Sequence, residues 1–172
     1  MCGASARSHP HIVEETYQRG HEIANHSWDH NDLTVIASKE AIEQLENTNK
    51  ILEGITGSKV TKFRPPYGSY NQELIEVAER LGLECIMWTN NGSDWLNHSP
   101  EHIADSILSE LKPNGILLLH DGCGDLLCDP SADVFESRSS TVVATGIVLD
   151  RLARDKAIFF DPRQSRTQVS TN

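Results

Sequence analysis

The chain has 172 residues and a formal net charge of −10, with a pI of about 5.2. That is enough length for one domain with a real core. The acidic balance argues against sequence-independent nucleic-acid binding, which needs Lys and Arg to displace counterions, and against polybasic attachment to a membrane. Hydrophobic residues make up 38% and charged residues 23% of the chain, as in folded domains rather than disordered ones. No apolar run approaches the roughly 18 residues of a membrane span, so membrane insertion is not expected. Met1-Cys2-Gly3-Ala4-Ser5 shows no basic region leading into an apolar core, so no signal peptide is visible.

In chain order, Pro10 to Arg19 reads as a short helix stopped by Gly20. Glu22 to Asn25 reads as a strand delivering His26 and His30 at its C-terminal end. Asn31-Asp32-Leu33-Thr34 is a turn, and Ala41, Ile42, Leu45 and Leu52 space an amphipathic helix from Val35 to about Leu52. Lys59 to Phe63 is a strand ended by Arg64-Pro65-Pro66, since proline cannot continue a ladder. Asn71 is placed to cap a helix carrying Leu74, Ile75, Ala78 and Leu81, and Leu83 to Trp88 is the next strand.

Ser99-Pro100 is a cap followed by proline in the first helical turn, with Ile103, Ile107, Leu108 and Leu111 on one face. Ile116 to Leu119 is an apolar strand running into His120-Asp121, and a long loop follows. Thr141 to about Arg154 is the last helix and Ala157 to Phe160 the last strand. One domain over residues 1–161 and a polar tail over 162–172 result. Cys85 lies in an apolar run as a buried thiol, while Cys123 and Cys128 can close a small disulfide. Alternating helices and apolar strands imply a parallel sheet or barrel covered on both faces. About five strands are countable, against eight in a closed barrel, so the choice is an open α/β sheet or a barrel lacking its first strands.

Active residues in such folds collect at strand C-termini. Those ends carry His26 and His30, then Arg64 and Tyr67, then Asn90, Asp94 and Trp95, then His120 and Asp121. His26 and His30 share a face if the backbone between them makes one turn, and two imidazoles suit zinc or a similar divalent ion. Two surface histidines are the plainer alternative. The third donor is the difficulty: Asp29 points off the shared face, His21 lies across the strand, and Asp121 can serve only by coming from a distant strand. Arg64 can orient a carboxylate, and the Tyr67 N–H can face an oxyanion, or the segment is simply a structural turn. His120 can protonate a leaving group, with Asp94 fixing its ring. Trp28 and Trp95 either line a sugar or acyl pocket or pack in the core.

These residues in this order resemble the polysaccharide deacetylase family (the NodB-homology domain, carbohydrate esterase family 4). His26-Ser27-Trp28-Asp29-His30 looks like its H-[ST]-x-x-H metal motif, and Arg64-Pro65-Pro66-Tyr67-Gly68 resembles its R-x-P-Y groove motif. Ser93-Asp94-Trp95 is similar to the D-W motif, Leu117-Leu118-Leu119-His120-Asp121 to L-x-L-H-D, and Arg138 to Thr141 to the pattern before the final helix.

The resemblance implies an incomplete distorted (β/α) barrel and metal-dependent hydrolysis of N- or O-acetyl groups on a carbohydrate polymer. It assigns His26 and His30 as metal ligands, with zinc first and cobalt or another divalent ion as alternatives. His120 becomes the acid with Asp94 behind it, Arg64 orients the base and Tyr67 helps hold the oxyanion. Trp28, Trp95, Pro66 and Leu118 become substrate-binding residues for an acetylated oligo- or polysaccharide. Both family aspartates sit in a T-F-D-D-G-like segment ahead of the histidine motif, and Met1 to Arg19 contains none. On the resemblance the chain starts after the second strand, and an extracellular or cell-wall location fits if a segment precedes Met1. The alternatives are a vestigial carbohydrate-binding domain of the same fold and a metal-dependent amidohydrolase acting on a small non-sugar amide.

Overall fold

Residues 1–96, 98–122 and 138–155 are described in the computed structural model. They fall into two units, Met1–Met87 and residues 88–122 with 138–155. The Cys123 and Cys128 pair that can close a small disulfide, the expected strand from Ala157 to Phe160 and the tail 162–172 lie outside the described residues.

The first unit opens on a helix that the apolar pattern does not announce, α1 (Gly3–Ser8), followed by α2 (Pro10–Gln18) with its proline in the first turn. Small residues let α1 approach its neighbours closely. A Cβ on Gly3 would meet Cε3 of Trp28 at 2.4 Å and Oγ1 of Thr48 at 2.7 Å. Next, α3 (Ser38–Thr56) buries Ala41, Leu45, Thr48 and Leu52 along one side and ends at Gly57, whose φ of 67° is the left-handed conformation glycine adopts freely. It starts three residues later than the apolar spacing predicts and runs four residues further.

Strand β1 (Lys62–Phe63) pairs in parallel with β2 (Glu84–Cys85), Lys62 opposite Glu84 and Phe63 opposite Cys85. Between them α4 (Gln72–Arg80) is capped as expected, the Asn71 side chain accepting from the Leu74 N–H. Bonds from Glu84 N to Thr61 O at 2.8 Å and from Ile86 N to Phe63 O at 2.8 Å extend the ladder past the named strands. The expected strand from Glu22 to Asn25 reduces to one parallel bridge between Asn25 and Phe63. On its other side the Met1 ammonium donates to Ala24 O and His26 N donates to Met1 O, so this segment is flanked by chain on both edges. Phe63, Leu45 and Leu52 have no exposed surface and centre the core. Truncating any of them would cost about 2–5 kcal/mol.

In the second unit β3 (Asn90–Asn91) pairs in parallel with β4 (Leu117–Leu118). Helix α5 (Pro100–Ser109) is capped by the Ser99 hydroxyl, which accepts from His102 N at 3.2 Å. Its Ile103, Ala104 and Ile107 pack on Ala144 and Val148 of α6 (Ser139–Arg154). Gly92 lies so close to α5 that a Cβ would sit 2.9 Å from Cδ1 of Ile107. Cys85 is half-buried rather than buried, and burial pushes its thiol pKa up. Among the described residues no helix is long and apolar enough to cross a membrane.

Candidate active-site residues

Residues Ser27 to Asn31 follow His26 and carry His30, and every amide N–H in this stretch goes to a side-chain oxygen. Ser27 N donates to Asn25 Oδ1 at 2.9 Å, and Trp28 N and Asp29 N donate to Gln44 Oε1 at 2.9 and 3.4 Å. His30 N donates to Ser27 Oγ at 3.0 Å and Asn31 N to Asp29 Oδ1 at 3.3 Å. The carbonyls of Ser27 and Trp28 accept from Gly3 N and Ala4 N at the start of α1. Asn25 is fully buried, and its amide donates to Leu45 O and Asn49 Oδ1. Such side-chain bonds replace a ladder and offset the cost of left-handed backbone at Ser27 (φ 62°) and His30 (φ 63°).

The imidazoles of His26 and His30 meet edge to face with centroids 4.8 Å apart. His26 Nδ1 lies 2.6 Å from Arg64 O, a carbonyl that can only accept, so Nδ1 carries the proton and Nε2 keeps its lone pair. Burial lowers the pKa of His26 to about 4, against the opposing pull of the Arg64 carbonyl bond. This ring is therefore neutral at ordinary pH, as a metal ligand must be. Among the described residues no group of three or more His, Cys, Asp or Glu is placed to hold an ion. Among the described residues His26 and His30 are the paired donors, and imidazole nitrogen has the right chemistry for zinc.

The Arg64-Pro65-Pro66-Tyr67 segment turns immediately after β1. Tyr67 takes a left-handed conformation (φ 57°) and sets its exposed ring 4.7 Å from that of His30, edge to face. Arg64 Nε donates to Ile86 O at 3.2 Å, and desolvation lowers the guanidinium pKa. One short segment thus orients His26 through a carbonyl and flanks His30 with a ring.

In the second unit Asp94 opens a 3-10 turn (Asp94–Leu96) and is 3% exposed. Its Oδ2 accepts from His120 N at 2.8 Å and from Thr141 Oγ1 at 3.0 Å, while Oδ1 lies 2.8 Å from His120 Nδ1. Burial raises the Asp94 pKa, but the bonds from the His120 side chain and backbone and from Thr141, with the His120 charge, outweigh it and hold the carboxyl below its usual range. An ionised carboxylate can only accept, so the His120 proton sits on Nδ1 and Nε2 points away from Asp94. The half-exposed Trp95 ring stands at 84° to His120 with centroids 5.2 Å apart. An imidazole held in this way can accept or donate a proton at Nε2.

Other singled-out residues fall elsewhere. Trp28 is half-buried between Gly3 and Arg7, whose guanidinium carbon lies 5.2 Å from the ring centroid. Pro66 and Leu118 are buried and present little surface to a ligand. Both Asp29 carboxylate oxygens accept from Asn31, and His21 and Asp121 are exposed. Sequence reading passed over Asn25, Gln44 and Thr141, whose polar atoms secure the two histidine sets. Each lies at a position that otherwise packs against its unit's core, which is the only signal that marks them.

The family model described as polysaccharide deacetylase matches residues 1–86. A chitooligosaccharide deacetylase of Azorhizobium caulinodans is 34% identical over 155 residues, covering 88% of this chain and 72% of that protein. A peptidoglycan-N-acetylglucosamine deacetylase of Listeria monocytogenes is also 34% identical, over 121 residues that make up 70% of this chain and 25% of the relative. Among solved structures, a CE4 family pseudoenzyme of Bacillus anthracis superimposes with a TM-score of 0.78 at 25% identity, over 91% of this chain and 50% of that one. A peptidoglycan N-acetylglucosamine deacetylase in complex with a hydroxamate-type benzamide gives 0.80 at 25% identity, over 92% and 69%. The chain thus spans about half the length of the pseudoenzyme.

Proposed function

Because this chain belongs to the polysaccharide deacetylase family, we propose that it acts on an acetylated oligo- or polysaccharide, hydrolysing an acetyl group from the sugar. The Asp94–His120 pair carries this reading. A buried carboxylate that grips both the backbone and the ring of one histidine prepares that histidine for proton transfer. In the reaction, water adds to the acetyl carbon, the bond to the sugar nitrogen or oxygen breaks, and acetate leaves. His120 gives its proton to the departing amine or alkoxide. Asp94 stabilises the charged ring and fixes its tautomer. Trp95, standing beside His120, offers an apolar edge to the sugar or the acetyl methyl.

In the first unit His26 and His30 are the residues that would hold a divalent ion, with zinc the first choice for paired imidazoles. When bound, such an ion lowers the pKa of a water and polarises the acetyl carbonyl. Among the described residues these two imidazoles are the donors brought together, where a catalytic zinc takes three protein donors. Tyr67, in its left-handed turn, would present its N–H to the oxyanion, and Arg64 would orient a carboxylate base. Acetate release from an N-acetylated chito-oligosaccharide, with and without added zinc or cobalt, tests the reading.

The second reading is saccharide binding without turnover. It is favoured by solved relatives described as pseudoenzymes. It requires oligosaccharide affinity unaffected by His120→Ala, together with no acetate release.

A further inference from the structure

We infer that Thr141 is a positioning residue for the proton donor: its hydroxyl clamps the Asp94 carboxylate in the orientation that aims Oδ1 at the His120 ring. This rests on the deacetylase reading of His120. The Asp94 side chain is short and can turn about its last torsion. Among the described residues two donors reach Oδ2, both from other elements, the backbone N–H of His120 just past β4 and the hydroxyl of Thr141 in the first turn of α6. With Oδ2 held from two directions, rotation is blocked and Oδ1 stays 2.8 Å from Nδ1.

Removing the Thr141 hydroxyl leaves one anchor among the described residues, the His120 N–H, which a rotating carboxylate can satisfy with either oxygen. Thr141 is itself 6% exposed and its contact spans 47 positions, so α6 is tied into the proton-transfer pair by a bond that water does not readily replace. The same bond is one of those that keep Asp94 ionised in a buried setting. The hydroxyl also sits where a helix N-terminus favours negative charge.

The test uses the full chain labelled with 15N-histidine, without metal or substrate, and reads which His120 ring nitrogen carries the proton when the ring is neutral. Wild type and Thr141→Ser should show the proton almost wholly on Nδ1. Thr141→Val, which keeps the shape and loses the donor, should lower that preference roughly tenfold. Thr141→Ala serves the same purpose should valine disturb folding. In acetate-release assays the Val and Ala variants should lose kcat with little change in KM, and Ser should restore it. An unchanged tautomer in both Val and Ala variants overturns the inference. Loss of the tautomer preference with no acetate release from any variant, wild type included, upholds the clamp and defeats the deacetylase reading instead.

Discussion

Asp94 holds His120 at two points, with Oδ2 2.8 Å from the backbone nitrogen and Oδ1 2.8 Å from Nδ1 of the ring. One carboxylate thereby sets both where the histidine starts and which way its ring faces. Asp94→Asn keeps the shape, but its amide can present a donor to Nδ1 and favour the other tautomer. Acetate release should fall by about 10²-fold or more, near the full value of general acid–base catalysis. Steady-state kinetics on the purified variant measures this, and a fall under threefold would count against the assigned role.

The same carboxylate makes stability depend on pH. Its folded pKa lies below the ordinary value because bonds from His120 and Thr141 outweigh burial. The contribution is therefore fully present above the unfolded value of about 3.9 and lost as pH falls through the folded value. In urea unfolding, wild type should exceed Asp94→Asn in stability at pH 6, and the gap should narrow as pH falls below the unfolded value of about 3.9. A gap that is constant with pH would mean the carboxylate is not held ionised by the fold.

His26 gives the opposite test by the same linkage. Burial places its folded pKa at about 4, below the unfolded 6.5. The unfolded chain thus takes up a proton between these values that the folded chain refuses. Folding stability should decline as pH drops from 6.5 toward 4, and the ring resonances of His26 should not titrate until pH nears 4. NMR titration of the chain checks this directly.

Gln44 and Asn25 hold the loop between the two motif histidines from outside it. Gln44→Leu leaves the Trp28 and Asp29 amides without their acceptor and should cost about 1–3 kcal/mol in chemical denaturation. It should also weaken zinc binding, because the His26 and His30 rings lose their fixed relation, whereas Gln44→Glu keeps the acceptor and should retain most of that affinity.

Much of this was legible in the chain itself because the relevant chemistry is local. Asn71 and Ser99-Pro100 announce helix starts, and both side chains cap as expected. Asp94 and His120 stand at the ends of predicted strands, where parallel sheets gather their reactive groups, and they bond to one another. Strand lengths were less legible, since pairing depends on partners far away in sequence: the run from Glu22 to Asn25 finds only a single bridge. Helix α1 was missed because Gly3-Ala4-Ser5-Ala6-Arg7-Ser8 has no apolar period, and its burial comes from smallness. Gln44 and Thr141 read as unremarkable helix polar residues, because their bonds reach across 16 and 47 positions and have no sequence signature.

The most direct test is acetate release from N-acetylated chito-oligosaccharide by the purified chain with added zinc or cobalt, run beside His120→Ala. Metal-stimulated release that falls by about 10²–10⁴-fold in the variant is the expected result. Equal release from both proteins, or none from wild type that still binds the oligosaccharide, would contradict the assignment of His120 as the proton donor of a working deacetylase.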